Sequence, residues 1–246
     1  MGRGTVRVEK GALGERKFVW VKVDQADGCT LGDVLMYSMT IGGLTVSVAA
    51  GSGMTIGTSS SLSFVEASAV DAGDNDFVDD FIIITSALAG AAPESEMRKI
   101  KSNTSSRFFV TSDFSAKPIT KDAFVILRPF TVIDAVSQSS SKFGRPTQGV
   151  VAGVAMADAD RNDYLWLQTW GVNEATKVDT GLQGINALAI IGPAAAEVSS
   201  ILSADTASAG VTEVPQNIGF FLTSVHADLT AGETTNLTAP LFLKIS

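Results

Sequence analysis

Short apolar runs broken by Gly, Pro, Asp or Ser recur along the whole chain, and their period is two rather than 3.6. Phe18-Val19-Trp20-Val21-Lys22-Val23 places the valines on one face and Phe18, Trp20 and Lys22 on the other, as a half-buried strand requires. Residues 34–39 and 44–48 read as two further strands. Turn chemistry at 24–27, Gly28, Gly32 and Gly42-Gly43 separates the three and predicts a meander. Phe81-Ile82-Ile83-Ile84-Thr85 is apolar on both faces, so it is expected to be sandwiched. Arg107-Phe108-Phe109-Val110-Thr111 and Ala123-Phe124-Val125-Ile126-Leu127 flank a polar turn region with Pro118 and are expected to pair with each other. Tyr164-Leu165-Trp166-Leu167-Gln168-Thr169-Trp170 carries the strongest alternation in the chain. Tyr164, Trp166, Gln168 and Trp170 fall in one row, with Gly171 as the expected terminator. Residues 149–157, 220–225 and 241–245 complete the set. One helical exception is predicted at 93–98, where acids precede a base as a helix dipole favours.

Many short strands at roughly 8–12-residue spacing predict a mainly β fold of small antiparallel β-sandwich or barrel modules. Residues 1–17 are polar with repeated glycines and read as an extended basic N-terminal arm. The Ser137–Ser141 run with Gly144 and Pro146 is the clearest linker in the chain. The expected organisation is therefore an arm at 1–17, one β-rich module at 18–145 and a second at 146–246. Residues 49–63 are almost all Gly, Ser, Thr and Ala and read as a low-complexity loop.

Composition narrows the function. The chain has 246 residues and a net charge of -8, which argues against nucleic-acid binding driven by a basic field. The charge is blocked: residues 23–97 contain no Lys or Arg, whereas six bases stand at 98–121. Such blocks suit docking on another protein through faces of opposite sign, or are loops that happen to differ in composition. No signal peptide is read at the N-terminus, and the longest apolar run, 81–92, is too short to span a bilayer, so no membrane partner is expected.

Chemistry is sparse. A single Cys, Cys29, excludes a disulfide framework within the chain, and a single His, His226, excludes a multi-histidine metal site. His226 has no Gly-x-Ser-x-Gly elbow to serve and reads as a polar residue after the 220–225 strand. Asp158, Asp160 and Asp163 match the start of a calcium loop. The sixth position, however, is Asp163 rather than Gly and the twelfth is Thr169 rather than Glu, so a tight turn is favoured. Asp74, Asp76, Asp79 and Asp80 form a second acidic cluster with the same two readings, calcium or an exposed turn. Trp166, Trp170 and Tyr164 form either a sugar-stacking platform or an apolar interface stripe. Leu165 and Leu167 favour the stripe. No catalytic residue, cofactor or enzymatic activity is expected.

At 149–171 a small-residue strand and a polar turn precede an aromatic-x-Trp-x-Gln-Thr-x-Gly strand, and at 98–123 Ile100-Lys101-Ser102-Asn103-Thr104 leads through Phe108-Phe109-Val110 to Thr120-Lys121-Asp122. These two stretches resemble the capsid decoration, or cement, proteins of tailed bacteriophages. The arm at 1–17 and the loop at 49–63 have no counterpart in that family. The resemblance implies a virion structural protein, made in the host cytoplasm, that binds the major capsid protein on the outer capsid surface as a homo-oligomer, often a trimer. The competing expectation is a receptor- or glycan-binding head-fibre or tail protein that uses the aromatic strand.

Overall fold

The structure is a computed structural model. It describes residues 1–38, 40–48, 63–66, 75–86, 94–105, 107–116, 118, 122–135, 150–178, 186–191, 198–200, 217–223 and 238–245. The described residues form strands and connections and contain no helix, so the fold is mainly β. In chain order the strands are β1 (Val6–Gly11), β2 (Gly14–Val23), β3 (Val34–Tyr37), β4 (Thr40–Val48), β5 (Ser63–Glu66), β6 (Phe81–Ser86), β7 (Met97–Asn103) and β8 (Arg107–Val110). They continue as β9 (Ala123–Leu127), β10 (Thr131–Asp134), β11 (Val151–Ala155), β12 (Tyr164–Lys177), β13 (Leu188–Ile191), β14 (Val198–Ser200), β15 (Gly219–Phe221) and β16 (Thr238–Lys244).

The chain divides into two units, Met1–Ser38 with Phe130–Ser246, and Met39–Pro129. The second unit is thus an insertion between β3 and β10, not an N-terminal half that ends near residue 145. The linker composition at 137–141 lies outside the described residues, and the insertion is marked instead by the chain returning at β10 to lie beside β3.

The insertion is a closed barrel in the order β4-β5-β8-β7-β6-β9, antiparallel throughout. Closure removes the sheet edges that an open six-stranded sheet would expose. Ile82 and Ile84 on β6, Ile100 on β7, Phe108 and Val110 on β8, and Phe124 and Ile126 on β9 fill it. Phe77 and Phe114 pack onto the same core from the connections. Each such side chain contributes about 1.5–3 kcal/mol when fully buried. β6 alternates between buried and more exposed positions, so its isoleucine run is lined on one face by core and is not sandwiched. The helix expected at 93–98 is a turn at Glu94-Ser95 that leads into β7. The two strands expected to pair with each other do not. β8 lies between β5 and β7, and β9 between β4 and β6.

The other unit is built on one sheet in the order β1-β2-β10-β3-β11-β12-β16-β15-β13-β14, with a further pairing of β2 to β12. That pairing closes β2, β10, β3, β11 and β12 into a ring. Val19, Val21 and Val23, with Leu35, Val132, Leu165 and Leu167, fill the ring. β3 and β11 are buried on both faces, because a second cluster with Val34, Met36, Val151, Val154, Phe221, Leu241 and Leu243 covers their other side. The meander expected for the first strands is absent: β3 pairs with β10 and β11, and β4 belongs to the inserted barrel. The N-terminal arm is also corrected. Val6–Gly11 pairs antiparallel with β2 from Val6↔Val19 to Gly11↔Gly14, so most of residues 1–17 is a hairpin.

Candidate functional site

Three strands of the first unit present their outer face together. In β1 and β2, Arg7 opposes Phe18 and Glu9 opposes Arg16. In β2 and β12, Trp20 opposes Trp166 and Phe18 opposes Gln168. Side chains on paired positions share a face, so period-two alternation alone gathers Arg7, Glu9, Arg16, Phe18, Trp20 and Trp166 on one surface. These residues, with Tyr164, Met156 and Asp158, line an open cleft of about 430 Å³, within the ~300–1,000 Å³ typical of small-ligand pockets.

The aromatic wall is ordered by ring contacts. The Trp20 and Tyr164 rings are nearly parallel, 12° apart with centroids at 6.2 Å, and Tyr164 is 42% exposed. Trp166 leans against Trp20 at 5.1 Å and 59°. The polar wall is a guanidinium–carboxylate–guanidinium bridge. Arg7 Nη2 lies 3.0 Å from Glu9 Oε1, and Arg16 Nη2 donates to Glu9 Oε2 at 3.2 Å. Both guanidiniums stack on Phe18, at 5.0 and 5.8 Å from its centroid, and Arg7 also lies 4.7 Å from the centroid of Trp166. Cation–π contact and the shared carboxylate therefore hold the bridge over a buried ring.

Trp170 does not join this platform. Phe18 and Lys17 are consecutive and so face opposite sides of β2. Gln168 pairs with Phe18 while Trp170 pairs with Lys17 across a register shift. The bulge turns Trp170 to the reverse face, where it meets Phe242 at 5.5 Å and Lys17 Nζ at 5.3 Å. Gly171 does not end the strand. Its φ of +90° lets β12 pass against the Glu15 carbonyl, where a Cβ would overlap that oxygen, and the strand runs on to Lys177. Trp20, absent from the sequence-based set, takes the place of Trp170. The signal for it was the register of β2 on β12, which no local pattern carries.

The acidic groups are placed in turns and ion pairs. Asp158 Oδ1 accepts from the Leu31 N–H at 2.8 Å, and Asp163 Oδ2 accepts from the Asp160 N–H at 3.3 Å, so that stretch is the tight turn between β11 and β12. Asp80 is paired with Arg128 at 3.2 Å and Asp79 with Lys99 at 2.6 Å, while Asp76 is buried. Asp74 and His226 lie outside the described residues. No group of three metal-ligating side chains comes together among the described residues.

A second polar centre lies beside β3. Asp33 Oδ2 accepts from the Thr30 N–H at 2.7 Å, and Asp33 Oδ1 is 2.6 Å from Lys177 Nζ. Burial and the Asp33 charge push the Asp134 carboxyl up to about 6 despite Lys177. Cys29 is buried next to the same acids, and burial pushes its thiol up to about 11. No helix among the described residues is long and apolar enough to cross a membrane. No protein-family model, no curated protein and no solved structure matches this chain.

Proposed function

We propose that this chain is a virion structural protein that binds the outer surface of an assembled bacteriophage capsid and stabilises it, with the major capsid protein as partner and a homo-oligomer, a trimer in the simplest form, as the bound state. The observation that carries the reading is the β1–β2 hairpin. β1 stands at one end of the sheet order, and its Val6 and Val8 are 63% and 51% exposed. An exposed edge with apolar side chains is a template for strand addition by another chain. Residues 1–17 hold Arg3, Arg7, Lys10, Arg16 and Lys17 against Glu9 and Glu15, in a chain whose net charge is -8. Like charge disfavours pairing of two such hairpins, and an acidic shell surface attracts them. The stretches that resemble decoration proteins fall on β11, the first half of β12, β7 and β8. Repetition of one modest contact over a shell supplies avidity without a strong single interface.

Quantitative mass spectrometry of purified virions tests this. A copy number comparable with that of the major capsid protein, and particles that lose heat resistance when the protein is missing, are the expected results. Val8→Asp is expected to abolish rebinding to depleted particles while leaving the circular dichroism spectrum unchanged. Absence from purified virions, or unchanged particle stability without the protein, overturns the proposal.

A further inference from the structure

We infer that the cleft between β1, β2 and β12 is a binding site for a neutral pyranose glycan, a role separate from shell attachment through the β1 edge. A pyranose has a face of C–H groups and a rim of hydroxyls that both donate and accept. A site for it needs an aromatic face beside fixed donors and acceptors. The cleft has this combination. Tyr164, 42% exposed and stacked against Trp20 with the ring planes 12° apart, supplies an aromatic face backed by a second ring, and Trp166 closes one side at 59° to Trp20. The Arg7–Glu9–Arg16 bridge, held over Phe18, supplies donors and an acceptor whose positions are set before any ligand arrives.

The charge of the lining selects among ligands. Arg7 and Arg16 are balanced by Glu9 and Asp158, so the cleft lining itself holds equal formal charge of each sign and offers a bound anion or cation no net charge to neutralise. A proline-rich peptide also uses aromatic grooves, but it presents carbonyl acceptors and few donors. The Glu9 carboxylate, held by Arg7 and Arg16, would then lose its water without gaining a further donor. Hydroxyls satisfy both the carboxylate and the guanidiniums. In this assignment the exposed Tyr164 ring, backed by Trp20, stacks on the sugar ring, Glu9 accepts from its hydroxyls, and Arg16 donates to them. Arg7, which covers Trp166 at 4.7 Å, positions Glu9.

Titration of the purified chain with cellohexaose, mannohexaose and chitohexaose, followed by tryptophan fluorescence and calorimetry, tests the assignment. Decaproline and a heparin hexasaccharide serve as contrasts. At least one neutral hexaose is expected to bind, with an affinity that changes less than about twofold between low and physiological salt, because no net charge is neutralised. Tyr164→Ala and Glu9→Gln are each expected to weaken that binding at least about tenfold, the loss of roughly 1.4 kcal/mol. Both positions are surface positions, and unchanged melting curves verify the fold. Trp170→Ala, on the opposite face, is expected to leave glycan affinity unchanged. Failure of all three neutral hexaoses to bind at millimolar concentration overturns the assignment. So does binding confined to decaproline or heparin, or glycan binding untouched by Tyr164→Ala and Glu9→Gln. None of these outcomes bears on virion copy number, so this inference and the shell-binding proposal fail separately.

Discussion

Asn173 Nδ2 donates to Gln168 Oε1 at 3.1 Å within β12, and both residues are almost fully buried. Around them the strand is irregular on both sides, with register shifts between Gln168 and Trp170 and between Asn173 and Thr176. A bulge leaves backbone groups out of the ladder, and buried ones must find partners. Gln168 Nε2 donates to the carbonyls of Trp170 and Val172 at 3.1 and 2.9 Å. Asn173 Oδ1 accepts from the Ala175 N–H at 2.9 Å and the Thr176 hydroxyl at 2.8 Å. Two amide side chains thus satisfy the distortion that separates Trp166 from Trp170.

Gln168→Leu removes both donors and leaves the Trp170 and Val172 carbonyls short of a partner in a buried site. The expected loss is about 1–3 kcal/mol, read as a shift of the denaturation midpoint. The same variant is expected to alter tryptophan fluorescence, because the bulge sets the environments of Trp166 and Trp170. An unchanged midpoint and spectrum would show that the amide is dispensable.

Arg128 and Asp80 form an ion pair at 3.2 Å inside the inserted barrel, with side chains only 2% and 0% exposed. Arg128 also lies over Phe77, 4.9 Å from its centroid. Arg128→Met leaves a buried carboxylate without its guanidinium, and a loss of about 3–5 kcal/mol is expected in urea unfolding. Combining it with Asp80→Leu removes both charges. The double variant is expected to recover a large part of that stability. A single variant as stable as the parent chain would refute this account.

Asp134 contributes a pH dependence between mildly acidic and neutral pH. Its carboxyl, ordinarily near 3.8, is pushed up to about 6, first by burial and then by Asp33. The folded state therefore binds the proton more tightly than the unfolded state. The stability this group contributes is present below about pH 4 and is lost as pH rises through about 6. Asp134→Asn removes this contribution. Because the group is only partly buried, the variant is expected to gain on the order of 1 kcal/mol over the parent chain at pH 7.5, and no more than a few tenths at pH 4. Thermal melts across that range check the sign. A variant less stable than the parent at pH 7.5 contradicts it.

Cys29 is locked into a bridge with Ala159, whose N–H and carbonyl exchange bonds with it at 3.0 and 2.8 Å. With its thiol pushed up to about 11, the thiolate fraction at pH 8 is about a hundredfold below that of an ordinary cysteine. Reaction with a disulfide reagent is expected to be slower by at least that factor in the native chain than in denaturant. Rapid native modification would place Cys29 at a mobile or open site instead.

The period-two pattern determined the mainly β character, and it located the strand cores: Val19, Val21 and Val23 on one face of β2, and Leu165 and Leu167 on one face of β12. It did so because alternation is a local consequence of the pleat. The tight turn at Asp158–Asp163 was legible because a short polar segment between strands closes on its own carboxylate, Asp163 accepting from the Asp160 N–H, whereas the Asp158 bond to Leu31 joins distant parts of the chain. Strand partnership was not legible. Which strand neighbours β3, or that residues 39–129 close into a barrel of their own, depends on contacts between distant residues that leave no periodic mark. The basic arm became a hairpin because β2 offered it a free edge. The cleft exists only through register: one bulge removed Trp170 and one pairing supplied Trp20. A single-residue slip reverses every side chain, so only the tertiary structure decides which aromatics meet.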